Sequence, residues 1–95
     1  MNNAYMPLRQ RAEDGSEKWF DPKQWSENLY FLRRKAQMTQ EQLCKELYAK
    51  IGAYRMWETG RNEPGILRLV QIADYYNVTL DALVKDNLWR TEGKT

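Results

Sequence analysis

Residues 38 to 47 read Met38-Thr39-Gln40-Glu41-Gln42-Leu43-Cys44-Lys45-Glu46-Leu47, and residues 57 to 64 read Trp57-Glu58-Thr59-Gly60-Arg61-Asn62-Glu63-Pro64. In the first stretch, Thr39 and Gln42 have the spacing of a capping box, which predicts a helix that begins at Thr39 and ends near Tyr48. In the second stretch, Gly60 is a residue type that ends helices, which predicts another helix over about residues 50 to 59. Together they predict two short helices joined by a tight turn.

The inner faces of these two helices follow from the spacing of their apolar residues. Leu43, Cys44 and Leu47 supply the inner face of the first helix. Tyr54 and Trp57, three residues apart, supply the inner face of the second. We therefore expect Cys44 to be a packing residue rather than a redox sensor, and Trp57 to belong to the core rather than to stack on a base.

A further helix is predicted before this pair, over about residues 22 to 37. Asp21 is placed to cap it, Pro22 suits the first helical position, and Gln24 falls where its side chain can bond back to the cap. Its apolar residues follow one stripe: Trp25, Leu29, Leu32 and Ala36.

Two more helices are predicted after the pair. The fourth begins at Pro64 and closes at Asn77, and the fifth is capped by Thr79. The residues expected to face inward on the fourth helix are Leu67, Val70, Ile72, Ala73 and Tyr76. Those on the fifth are Leu80, Leu83, Val84 and Leu88.

The two ends of the chain lie outside this helical pattern. We assign residues 1–21 to an N-terminal extension, residues 22–89 to the domain and residues 90–95 to a polar tail. In the extension, Tyr5, Met6, Leu8, Trp19 and Phe20 flank a turn-prone Asp14-Gly15, which favours a short β-hairpin, with disorder as the competing interpretation.

The composition excludes several kinds of chemistry. The 95 residues include no His and one Cys, so a Cys and His metal cluster, a Ser-His or Cys-His nucleophile pair and an intrachain disulfide cannot form. We expect no cofactor, no metal and no enzymatic activity. No apolar run approaches the roughly 20 residues that span a bilayer, so we predict a cytoplasmic protein without membrane contact.

The charge is concentrated in the middle of the chain. The formal net charge is only +2, but residues 33–61 carry seven basic and three acidic side chains, a net +4, while the segments before and after are each at −1. A solvated helix face and a surface for a polyanion both fit this distribution.

A third stretch follows the first two in order: Ala73-Asp74-Tyr75-Tyr76-Asn77-Val78-Thr79-Leu80-Asp81-Ala82-Leu83. Over about residues 26 to 86, the chain resembles the phage-repressor and Cro-like helix-turn-helix family, also called the XRE family. The resemblance implies an all-α, five-helix, lambda-repressor-like domain. Its third helix would enter the DNA major groove while the second lies across the backbone.

The resemblance also implies which residues meet DNA. Lys50, Ile51, Gly52, Arg55 and Met56 fall on the family's groove-facing positions. Gln40 falls where a phosphate is usually held, although it is equally the ordinary interior of a capping box. Arg61 and Asn62 fall on positions that touch the backbone. Glu58 is expected to pair with an internal Arg, because its charge would repel DNA.

Three departures from the family pattern bear on function. Tyr48 stands where the turn commonly has Gly, so we expect either an unstrained turn or a ring repacked against the fold. Lys50 stands where a capping Ser or Thr is usual and cannot accept a hydrogen bond. The groove-facing set lacks Gln or Asn for adenine, which leaves Arg55 as the main candidate for guanine.

The sequence therefore predicts a sequence-specific regulator of transcription, most simply a repressor, that binds double-stranded DNA as a homodimer. Two roles are open for the aromatic residues outside the resemblance, which are to form the dimer surface or to seal the ends of the core: Tyr5, Trp19, Phe20 and Trp89. The alternatives are a protein-interaction module that uses Tyr48, Ile51 and Met56 as an apolar docking patch, and the antitoxin of a toxin-antitoxin pair.

Overall fold

The computed structural model describes residues 9–11, 17–19 and 21–92. Within these residues the helices are α1 (Gln24–Lys35), α2 (Gln40–Leu47), α3 (Ile51–Glu58), α4 (Ile66–Tyr76), α5 (Leu80–Lys85) and α6 (Leu88–Glu92). Two three-residue strands, β1 (Arg9–Arg11) and β2 (Glu17–Trp19), precede them. The five predicted helices are present as α1 to α5, so the all-α fold class is confirmed.

One apolar core joins α1 to α5. Its buried members are Trp25, Leu29, Leu32, Leu43, Cys44, Leu47, Tyr54, Trp57, Leu69, Ile72, Ala73 and Leu83. Every inward residue predicted for α2 and α3 is in this set. Ala36 is not, because α1 ends at Lys35 and Ala36 is exposed. Burial raises the pKa of the Cys44 thiol, which keeps it protonated and agrees with a packing role.

The first helix begins later than the sequence predicts. The Asp21 carboxylate accepts a hydrogen bond from the Lys23 backbone N–H at 2.9 Å, so it closes a turn before the helix, and Lys23 is the N-cap. The Gln24 side-chain amide donates to Glu27 and Asn28 within the helix, so it does not form the reciprocal bond of a capping box. The cap at Asp21 and the helical position of Pro22 are therefore wrong.

The second helix begins as predicted. The Thr39 hydroxyl accepts from the Gln42 backbone N–H at 3.0 Å, and the Gln42 side chain accepts from the Thr39 backbone N–H at 2.9 Å. Both bonds of the capping box are thus present. They determine where α2 starts and therefore where Gln40, the first residue of α2, is placed.

The turn between α2 and α3 bends at Tyr48, which adopts left-handed angles of φ 56° and ψ 44°. The tyrosine ring is 90% exposed. Both outcomes expected for this position are wrong, since the backbone is strained and the ring does not pack. Arg68 and Gln71 of α4 stabilise the turn, because both donate to the Leu47 carbonyl, at 2.6 and 3.0 Å.

Replacing Tyr48 with Gly is expected to stabilise the fold. A left-handed conformation costs an ordinary L-residue roughly 1–2 kcal/mol, and the greater flexibility of unfolded Gly offsets roughly half of that. We expect the free energy of unfolding to rise by about 0.5–1 kcal/mol in urea titrations. Tyr48→Phe, which keeps the strain, should leave it unchanged, and a less stable Gly variant would contradict the assignment of strain.

The fourth helix presents a different inner face from the predicted one. Leu67 and Val70 are exposed, whereas Leu69, which the sequence analysis omitted, is buried beside Ile72 and Ala73. The helix carries apolar residues at almost every position of its first turns, so periodicity alone could not select the face. The predicted closure at Asn77 is confirmed by its left-handed φ of 57°.

The fifth helix is shorter than predicted and a sixth follows it. Thr79 caps α5 by accepting from the Ala82 backbone N–H at 3.0 Å, as expected. The extended backbone at Asp86 then ends α5, so Leu88 belongs to α6 rather than to α5. Helix α6 continues to Glu92 and so includes Arg90, the first residue of the predicted polar tail.

Asn28 connects the first helix to the last two. Its side chain is fully buried, and its Nδ2 donates to the carbonyls of Leu83 and Asp86 at 2.7 and 2.8 Å. Its Oδ1 accepts from the Leu88 backbone N–H at 3.2 Å. One amide therefore satisfies the end of α5 and the start of α6 together.

The two strands pair antiparallel, with Arg9 opposite Trp19 and Arg11 opposite Glu17. They lie on either side of the predicted Asp14-Gly15 turn. Residues 12–16, Phe20 and the residues up to Leu8 lie outside the described part of the chain. The strand predicted around Tyr5, Met6 and Leu8 therefore stays a prediction.

Candidate nucleic-acid interface

Helix α3 is held against the core by two aromatic side chains. Tyr54 is fully buried, Trp57 is nearly so, and their rings meet edge to face with centroids 5.8 Å apart. The Arg68 guanidinium lies over the Trp57 ring at 5.6 Å. These contacts leave the opposite side of α3 facing solvent.

The solvent-facing side of α3 carries the predicted groove residues. Gly52 and Arg55 are exposed, and Ile51 and Met56 are half-buried. Lys50 is exposed at the N-cap position and makes no side-chain cap bond, as expected for a residue that cannot accept one. The structure thus brings these five predicted residues together on α3 and its N-terminus.

Gln40 links α2 to α3 through both ends of its amide. Its Nε2 donates to Glu58 Oε1 at 3.0 Å, and its Oε1 accepts from Arg55 Nε at 3.3 Å. The phosphate role expected for Gln40 stays a prediction, and in this structure the side chain bonds within the protein. Sequence reasoning missed the link, because partners 15 and 18 residues apart leave no local pattern.

Behind this link lies a buried ion pair. Arg33 Nε donates to Glu58 Oε2 at 2.7 Å, and Arg33 Nη2 donates to Glu58 Oε1 at 3.1 Å, so the pair is bidentate. The Tyr54 hydroxyl also donates to Glu58 Oε2, at 2.5 Å. The prediction that Glu58 pairs with an internal Arg is confirmed, and Arg33 is a core residue rather than part of a solvated basic face.

The environment of Glu58 keeps its carboxylate charged. Burial acts to raise its pKa, but hydrogen bonds from Arg33, Tyr54 and Gln40, together with the Arg33 charge, outweigh burial and lower the pKa below its usual value. The same carboxylate raises the pKa of Arg33. Glu58 therefore stabilises α1, α2 and α3 against one another behind the exposed face.

The loop after α3 holds the two predicted backbone-contacting residues at the surface. Gly60 turns the chain with φ 78°, and the backbone N–H groups of Arg61 and Asn62 both donate to the Met56 carbonyl, at 3.0 and 3.3 Å. Both side chains are exposed. These two backbone bonds therefore hold Arg61 and Asn62 next to the C-terminal end of α3.

A hollow of about 520 Å³ lies where α1 ends and α2 begins. Its lining includes Arg34, Gln37, Thr39 and Gln40. The backbone N–H groups of Gln40 and Glu41, which the capping box does not use, and the exposed Arg34 both favour an anion there.

Two short helices joined by a tight turn, the second held against the core by Tyr54 and Trp57 with its other side exposed, form a helix-turn-helix. The sequence profile of the helix-turn-helix family HTH_3 matches residues 29–83. The chain belongs to this family, and the relatives named below are regulators of transcription.

Two curated relatives and one solved structure are similar to the chain. The HTH-type transcriptional activator BcrR of Enterococcus faecalis is 36% identical over 61 residues, which are 64% of this chain and 30% of BcrR. The uncharacterized HTH-type transcriptional regulator YqaE of Bacillus subtilis strain 168 is 34% identical over 61 residues, 64% of this chain and 53% of YqaE. The chain thus spans about a third and about half of these proteins.

The solved structure is a transcriptional regulator from Listeria innocua. It superposes with a TM-score of 0.60 at 25% identity and covers 63% of this chain and 56% of its own. Within the described residues, no helix combines the length and apolar character required to cross a membrane.

Proposed function

We propose that the chain binds double-stranded operator DNA with α3 in the major groove and thereby regulates transcription. The observation that carries the proposal is Arg55, exposed in the middle of α3 with its Nε held by Gln40. That bond leaves the two terminal nitrogens of the guanidinium free to donate as a pair. A pair of parallel donors is what guanine O6 and N7 accept.

Phosphate contacts would surround this base contact. Arg61 and Asn62 are exposed after α3, and the hollow at the start of α2 offers Arg34 and backbone N–H groups to a second phosphate. Lys50 can reach either a base or a phosphate. The groups that could contact phosphates lie before and after α3 in sequence. This arrangement supports the proposal that α3 lies in the groove with phosphate contacts at both of its ends.

Base readout by one copy would be sparse, which supports a homodimer. A bidentate contact discriminates by about 1–3 kcal/mol, whereas specific and non-specific binding differ by about 4–10 kcal/mol. Ile51 and Met56 can add only apolar contact with thymine methyl groups. We infer two copies with their α3 helices about 34 Å apart on a partly palindromic site.

The sign of regulation follows from where the operator lies. We propose repression, because a dimer bound over a promoter excludes RNA polymerase. We also propose that the protein acts in the cytoplasm. BcrR, which is similar to this chain, is named as an activator, so activation is the alternative sign. A reporter gene with the operator placed within or upstream of the promoter tests this.

Arg55→Ala is expected to lose base discrimination. Affinity for the preferred site should fall by about 1–3 kcal/mol, with the preference relaxed at one base pair of each half-site, because one bidentate contact is removed. Competition binding against sites mutated singly at each position measures this. Undiminished preference in Arg55→Ala would refute the assignment of Arg55 to a base.

Arg61→Ala is the matched control for a charge that contacts the backbone. It should weaken binding to all sequences about equally and reduce the slope of log affinity against log salt by about one per bound copy. Salt titrations of wild type, Arg55→Ala and Arg61→Ala on the same duplexes give the comparison. A base-specific loss in Arg61→Ala would contradict its placement.

The second candidate function is a protein-interaction module on the same fold. The observation that favours it is the exposed ring of Tyr48, which lines one surface hollow together with the half-buried Ile51. This function predicts that double-stranded DNA binds weakly and without sequence preference, and that Tyr48→Ala abolishes capture of a partner. The antitoxin alternative, in which residues 1–21 hold a toxin, falls largely outside the described residues.

A further inference from the structure

Helix α4 exposes an apolar row beside its buried face. Ile66 is 62% exposed and Leu67 is 81% exposed, although both are large aliphatic side chains at the start of the helix. Val70, also exposed, follows Ile66 by one turn, and Asp74 follows Val70 by another. The four residues form one continuous strip, the α4 strip, along the 11-residue helix.

The two ends of the α4 strip have opposite electrostatic character. The N-cap of α4 is Gly65, which has no side chain to accept from the helix N–H groups, and the first turn holds no acidic residue. The free N–H groups and the helix dipole make this end positive. Asp74 makes the other end negative, and no residue in the described part of the chain bonds to its side chain.

We propose that the α4 strip is the interface at which a second copy of this chain docks, antiparallel, with Val70 on the two-fold axis. The proposal deepens the homodimer of the proposed function and rests on it for its biological role. Ile66 and Asp74 are equally distant from Val70 along the helix. An antiparallel pair therefore places each Asp74 against the uncapped start of the other copy's α4, and the apolar residues of the two strips contact each other between these ends. This is the self-complementarity that a two-fold interface requires.

The charge pattern selects a second copy over other occupants. DNA is repelled by Asp74 and gains nothing from exposed Ile66 and Leu67. A partner for the strip must place a negative group against the start of α4 and a positive group against Asp74. A second α4 in the antiparallel orientation supplies both groups. The strip follows about 16 Å of a single helix, so it should bury less than the roughly 800 Å² per copy of a standard interface. The dimer should therefore be weak in free solution and become stable when both copies bind DNA.

Sedimentation equilibrium of the full chain tests the interface without DNA. The apparent mass of the wild type should rise with concentration from 11.4 kDa toward twice that value. Leu67→Asp and Asp74→Lys should each raise the dimer dissociation constant at least tenfold. Both side chains are exposed, so the thermal midpoints of the variants should stay close to that of the wild type.

Trp89→Ser is the matched control, because Trp89 is a half-exposed aromatic on α6 and was itself a candidate for the dimer surface. It should leave dimerisation unchanged. Val70→Cys should form a disulfide-linked dimer under mild oxidation, because residues on a two-fold axis approach each other closely. Glu46→Cys, an exposed position on α2, should not.

The results separate the interface from the proposed function. A dimer lost in Leu67→Asp and cross-linked in Val70→Cys supports the α4 strip, even if no DNA sequence is preferred, which would count against the proposed function alone. A monomer at every concentration with no Val70→Cys dimer overturns the interface, even if one operator is bound specifically. A dimer that Trp89→Ser disrupts and Leu67→Asp does not also overturns it.

Discussion

Arg33→Met is expected to lower the free energy of unfolding by about 3–5 kcal/mol, the cost of leaving one member of a buried ion pair without its partner. The side chains of Arg33 and Glu58 are only 10% and 6% exposed, and the pair is bidentate. Arg33 Nη1 also donates to the Met38 carbonyl at 2.8 Å, so the variant loses a second contact between α1 and the start of α2. Urea titration at pH 7 measures the loss.

The effect of Arg33→Met should depend on pH in a defined direction. The pKa of Glu58 is lowered in the folded state, so its contribution to stability is present above the unfolded pKa of about 4.3 and is lost as the pH falls through the folded value. Below that value Glu58 is neutral and no longer requires Arg33. The stability difference between wild type and Arg33→Met should therefore shrink in acid, and a difference independent of pH would contradict the account.

Two tyrosine variants provide a matched control for the same cluster. Tyr54→Phe removes a hydroxyl that donates to Glu58, and we expect a loss of about 1–3 kcal/mol. The hydroxyl of Tyr76 is buried and has no hydrogen-bond partner among the described residues. Tyr76→Phe should therefore be neutral or stabilising, and equal losses in both variants would show that the hydrogen bond from Tyr54 to Glu58 contributes nothing to stability.

Asn28→Ala is expected to cost about 2–4 kcal/mol and to release the C-terminal helices first. The substitution leaves the carbonyls of Leu83 and Asp86 without their donor, and each buried unpaired group costs about 1–3 kcal/mol. The Leu88 N–H also loses its acceptor. Because these groups belong to α5 and α6, amide exchange in residues 80–90 should accelerate more than exchange in α2.

Asn62→Ala is the control for Asn28→Ala, since Asn62 is exposed in the loop after α3. Its stability should change by less than about 0.5 kcal/mol. Thermal unfolding and hydrogen exchange on both variants give the comparison. Uniform acceleration of exchange throughout the helices of Asn28→Ala would contradict a local connection between α1 and the last two helices.

Most features determined by neighbouring residues in sequence were predictable, although the cap at Asp21 was not. The capping box of Thr39 and Gln42, the cap at Thr79 and the stop at Asn77 all depend on side chains within one helical turn, and all are confirmed. The inner faces of α2 and α3 were also predictable, because their apolar residues occupy one side only. The pairing of Glu58 with an internal Arg followed from charge alone.

Features that depend on distant contacts were not predictable. The α4 face was assigned wrongly at Leu67 and Val70 because packing against the other helices, rather than periodicity, buries Leu69. The roles of Asn28 and Gln40 depend on partners that lie far away in sequence. Tyr48 shows a further limit, since the turn tolerates strain that bonds from α4 offset.

The site residues divide in the same way. Resemblance placed Lys50, Gly52 and Arg55 on an exposed surface, and the structure agrees with that exposure. It did not indicate that Arg55 would be held by Gln40, and through Gln40 by Glu58. The proposed base-reading side chain is thereby connected to the buried ion pair, which local sequence could not reveal.

Selection of bound duplexes from a random pool tests the central claim most directly. The proposed function predicts a partly palindromic motif with two half-sites centred about one helical turn apart, each with a guanine whose preference disappears in Arg55→Ala. Weak binding at physiological salt with no enriched motif, from a chain shown to be folded, would contradict it.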